Sequence, residues 1–81
     1  MNVPGFVQEI IKRKLAVSIP NKQYEFRMFQ WDYERWEYRE DVAMEFLRQM
    51  QLKFPNKTVT FKMESDGPGV FCFGVNIRDR D

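Results

Sequence analysis

Hydrophobic residues in the second half of the chain fall into two clean periods. Val42, Ala43, Phe46, Leu47, Met50 and Phe54 recur at steps of three and four, which places them on one face of a helix. Glu40 and Asp41 occupy its first turn and Arg48 and Lys53 its later part, the charge order that a helix dipole favours. Pro55 ends it, because the residue before a proline is driven out of helical geometry. Val59, Phe61 and Met63 then alternate with Thr58, Thr60 and Lys62, as in a half-buried strand. Ser65-Asp66-Gly67-Pro68-Gly69 is dense in turn-forming residues. A second strand follows, with Phe71, Phe73, Val75 and Ile77 alternating with Cys72, Gly74 and Asn76.

The first half echoes this pattern at an offset of 35 residues. Residues 20–28, Pro-Asn-Lys-Gln-Tyr-Glu-Phe-Arg-Met, return at 55–63 as Pro-Asn-Lys-Thr-Val-Thr-Phe-Lys-Met, with five of nine positions identical. The same offset pairs Val7 with Val42 and Ile11 with Phe46. Such self-similarity predicts two copies of one supersecondary unit. Phe6, Val7, Ile10, Ile11 and Val17 can share a helical face, and Pro4 suits a first turn. A helix is therefore expected over about 4–17, with a strand over 15–19 as the rival reading. Tyr24, Phe26 and Met28 match Val59, Phe61 and Met63 as a strand. Trp36 and Tyr38 align with Phe71 and Phe73 as a short return strand.

The order αββαββ predicts an α+β two-layer sandwich, a permuted ferredoxin-like arrangement. Two helices would cover one face of a four-stranded antiparallel sheet with strand order 3-4-2-1. The expectation is a single domain over 1–81, built from two αββ half-repeats at about 4–38 and 39–78.

Composition adds exclusions. The 31% charged and 43% hydrophobic residues are ordinary for a globular chain, whereas 16% aromatics is rich for 81 residues. One cysteine, Cys72, rules out an internal disulfide and reads as a small half-buried sheet residue. No signal segment or long apolar run is present, so a complete, soluble, cytoplasmic chain with no membrane association is expected. Histidine is absent, which removes the commonest general base and metal ligand. Glycines at 5, 67, 69 and 74 form no phosphate-loop spacing. Acid pairs such as Glu37/Glu40 and Glu40/Asp41 are explained by helix starts. No enzyme activity, cofactor or metal is expected.

Two surfaces remain. The first lies where the repeat breaks down. Where the second copy has Ser65 to Gly69, the first has Gln30-Trp31-Asp32-Tyr33-Glu34, with two large aromatics, two acids and no glycine. A turn has no local need for such rings, and aromatic tips make good contact surfaces. Trp31, Asp32, Tyr33, Glu34, Arg35 and Glu37 are thus candidates for contacting a protein partner of basic or amphipathic character. The second surface is basic. Net charge is +1, yet residues 48–62 carry Arg48, Lys53, Lys57 and Lys62 with no acid. With Lys12, Arg13, Lys14, Lys22, Arg27 and Arg35 these are candidates for holding nucleic-acid phosphates, with Phe29 to stack a base. Outer strands 23–29 and 58–64 offer edges for a homodimer. The leading expectation is a non-catalytic binding protein, of the size and type found among inhibitory and accessory proteins of phages and mobile elements.

Overall fold

A computed structural model of the chain describes residues 1–15, 23–65 and 67–79. Helix α1 spans Val3–Leu15, strand β1 Gln23–Phe29, helix α2 Tyr33–Glu37 and helix α3 Arg39–Lys53. Strands β2 (Lys57–Ser65) and β3 (Val70–Asp79) complete an α+β fold. No described helix is long and apolar enough to cross a membrane.

Local chemistry explains the boundaries. Asn2 Oδ1 accepts the N–H of Gly5 at 3.1 Å and so caps α1, with Pro4 inside its first turn. The helix begins and continues as the spacing predicts, and residues 16–19, where helix and strand compete, lie outside the described residues. Helix α3 stops at Lys53, Phe54 turning to φ −126°, ψ 61° ahead of Pro55. The β2–β3 hairpin turns on Gly67 and Gly69, both at positive φ (105° and 74°), a backbone region that side-chain-bearing residues avoid.

Among the described residues the sheet has three strands in the order β1-β3-β2, both pairs antiparallel. The expected return strand at Trp36 and Tyr38 is not formed. Trp36 lies in α2, and Tyr38 links α2 to α3. The expected order 3-4-2-1 thus loses strand 2, and β1 pairs directly with the last strand. The cause is local. The turn after β1 has no glycine to reverse the chain, and Asp32, Tyr33, Glu34 and Arg35 wind into a helix instead, opened by Trp36 N–H donating to the Asp32 carbonyl at 2.9 Å.

One core joins the layers. Val7, Ile10 and Ile11 of α1, Val42, Ala43, Phe46 and Met50 of α3, Tyr24 and Met28 of β1, and Phe73, Val75 and Ile77 of β3 form one buried cluster. Trp36 and Tyr38 pack against it half-buried, so their apolar character is spent on the helical layer rather than on a strand. Cys72 faces the other side of the sheet between Arg27 and Glu64, and is buried rather than half-buried.

Candidate functional site

Helix α2 places the aromatic corner. Gln30 N–H donates to the Gly69 carbonyl at 2.8 Å, extending the β1–β3 ladder by one residue. Asp32 N–H then donates to the Phe29 carbonyl at 3.0 Å, closing a tight turn with Gln30 and Trp31 at its apex. The expected hairpin tip is therefore a strand-to-helix corner.

Trp31 stands on that corner 74% exposed. Its ring lies nearly flat on Phe29, with centroids 5.5 Å apart and planes 13° from parallel. Beside the pair runs a groove of about 210 Å³, lined by Phe26, Arg27, Met28, Phe29, Trp31, Asp32 and Arg35. On its other side Trp31 borders a more open hollow with Gln30, Pro68 and Gly69. The indole thus stands as a wall between two recesses.

Arg35 is fixed from two directions. Its guanidinium lies 4.8 Å from the ring centre of Phe6 in α1, and it pairs with Asp32 at 3.4 Å. The structure therefore gathers Trp31, Asp32 and Arg35 around one groove. Glu34 and Glu37 are exposed on α2 outside the lining, and Tyr33 opens that helix, its side chain lying outside the described residues. Phe29 was assigned by sequence only to base stacking. Its partnership with Trp31 was foreshadowed by the two aromatics spaced two apart, where the strand ends.

Several of the basic residues are engaged by acids or other groups. Arg48 Nε hydrogen-bonds Glu45 at 2.6 Å, Lys57 pairs with Asp79, and Lys62 pairs with Glu64 at 2.9 Å. Arg27 is also engaged. Lys12, Arg13 and Lys14 form the last turn of α1. Gln49 Nε2 donates to the Pro4 carbonyl at 3.1 Å, so it is the first turn of α1, not its basic end, that meets the C-terminal half of α3. Lys53 closes α3, and Lys22 lies outside the described residues. On the sheet face away from the helices, register places Glu25 and Lys62 on either side of Gly74, and Arg27 and Glu64 on either side of Cys72. That face alternates in charge, which suits a polyanion poorly.

Among the described residues no group of three or more His, Cys, Asp or Glu side chains is arranged to hold a metal ion. Comparison with protein-family models, with curated proteins and with solved structures finds no match.

Proposed function

We propose that the chain is a non-catalytic binding protein that engages a protein partner through the Trp31 corner. The observation that carries this reading is an indole left 74% exposed yet held flat against Phe29. An exposed ring that is already ordered loses little conformational freedom on docking, and so contributes more of its burial to affinity. Asp32 and Arg35 flank it as a fixed polar pair, and Glu34 and Glu37 add negative charge along α2. This combination fits a basic or amphipathic partner surface, with Tyr33 completing the contact set. Acting by steric cover, such a protein would inhibit or adapt its target, as accessory proteins of phages and mobile elements do.

The test is affinity capture from host lysate, comparing wild type with Trp31→Ala and with Trp31→Ala/Tyr33→Ala, each with and without nuclease. A protein retained by wild type and lost with both variants, whose circular dichroism matches wild type, supports the corner as the recognition surface. Capture that ignores the variants and disappears with nuclease overturns it. The function would then move to nucleic acid and to Lys12, Arg13, Lys14, Lys53 and their neighbours.

A further inference from the structure

Strand β2 lies at the edge of the sheet, with no strand beside it on its outer side among the described residues. Its nine residues pair with β3 in unbroken register from Lys57↔Asp79 to Ser65↔Phe71, with no bulge, proline or glycine. An edge strand of this kind leaves half of its backbone N–H and C=O groups facing outward. None of the usual devices that kink or shorten an edge is present.

The side chains above this edge are incompletely covered too. Val59 and Phe61 are half-buried, and Met63 is 47% exposed on the face that the helices should shield. Helix α3 packs on β3 and β2, while Gln49 on its other flank reaches α1. Advancing 100° per residue puts Leu47 on the flank away from Gln49, toward β2. Leu47 is half-buried. An apolar strip thus runs alongside the outer edge of β2.

We infer that this edge is covered by a second copy of the same chain. The two β2 strands pair antiparallel about a twofold axis at Phe61, joining the sheets into six strands in the order β1-β3-β2-β2-β3-β1. Self-complementarity of the sequence carries the choice. A twofold axis at Phe61 sets all nine residues of each strand against the other. It places Val59 opposite Met63 of the second copy and Phe61 opposite its own counterpart, so apolar meets apolar on the helix side. On the other side Lys62 faces Thr60 and Glu64 faces Thr58, while at the two ends of the helix side Lys57 faces Ser65. No charge stands directly opposite its like. Lys62 is moreover already paired with Glu64 at 2.9 Å on its own strand. The inference is independent of the Trp31 corner, which follows β1, the strand at the opposite edge of the sheet from β2.

Sedimentation velocity from about 1 μM to about 1 mM, joined to amide hydrogen exchange at both ends of that range, tests it. The expected result is a species of twice the 9.9 kDa chain mass at high concentration. Alternate amides of β2 then gain protection with concentration, and those of β1 do not. Met63→Arg, which sets a charge opposite an apolar residue, raises the dissociation constant by about thirtyfold or more with circular dichroism unchanged. A monomer throughout the range overturns the inference. So does a dimer whose protection gain falls outside β2, or a folded Met63→Arg variant that dimerises as wild type does. If Met63→Arg fails to fold, the concentration dependence of β2 exchange in the wild-type protein decides alone.

Discussion

Phe46 of α3 meets Phe73 of β3 edge to face, ring centroids 5.3 Å apart, and both side chains are fully buried. Phe73 also touches the rings of Phe26 at 5.6 Å and Phe71 at 6.2 Å, so the central strand ties helix and sheet together through one side chain. Replacing Phe46 with Ala removes that packing and leaves a cavity, at a cost of about 3–5 kcal/mol. In a domain of ordinary stability, about 5–15 kcal/mol, that is a large share. Urea denaturation followed by tryptophan fluorescence is expected to show a sharply lower midpoint. A loss under about 1 kcal/mol would contradict this account of the core.

Gly74 is required by its neighbour on β1. A Cβ at this position would lie 2.5 Å from the Tyr24 carbonyl oxygen and 3.1 Å from Glu25 Cγ. The carbonyl belongs to the backbone and cannot swing away. Gly74→Ala should therefore destabilise by about 1–3 kcal/mol, and its hydrogen exchange should show selective loss of protection in β1. Unchanged exchange in β1 would show that the strands tolerate a wider gap.

Removing the exposed indole should separate binding from folding. Trp31→Ala deletes an aromatic stack but no buried volume, so stability should fall by no more than about 1 kcal/mol. Thermal denaturation would then move by only a few degrees while capture of the partner is lost. A collapse of the fold would mean that the corner is structural.

Two exposed ion pairs set opposite pH limits. The hydrogen bond from Arg48 holds the Glu45 carboxyl below its ordinary pKa, with their charge attraction acting in the same direction. The stabilisation is present above the ordinary glutamate range and is lost as pH falls through the lowered value. Hydrogen bonding and charge attraction from Glu64 raise the Lys62 pKa, so that contribution is present below the ordinary lysine range and is lost as pH rises through the raised value. Comparing Glu45→Gln and Lys62→Met with wild type in denaturant titrations across pH should show the first difference vanish in acid and the second in alkali. High salt should shrink both.

Legibility of the fold followed local rules. Helix α3, β2 and β3 could be read because their apolar residues keep one period from end to end, and because Pro55 and the Gly67–Gly69 turn punctuate them. The internal echo was informative for β1, where Tyr24, Phe26 and Met28 take the same facing as Val59, Phe61 and Met63. It misled at Trp36 and Tyr38. Offset similarity carried the expectation of a strand past a turn whose own residues could not support one, and local helix formation from Tyr33 won. At the corner, the aromatic anomaly singled out Trp31 but left open whether the ring is exposed or folded back, and the structure leaves it exposed. What could not be read was the clamp of Arg35 between Asp32 and Phe6, because it depends on α1 and α2 meeting in space. The basic candidates were legible as charges but not as partners of Glu45, Glu64 and Asp79.

The strand order has a consequence for how the chain assembles. β1 and β2 never touch each other's ladder; each finds its only described strand neighbour in β3, the last of the three along the sequence. During synthesis, then, neither early strand has a template until residues 70–79 have been made. The β2–β3 hairpin closes a short loop and can form at once, whereas β1 must cross some forty residues of chain to dock. β1 therefore has no strand to pair with until β3 has been made, and its docking on β3 joins Tyr24 and Met28 to the core and sets the corner bearing Trp31.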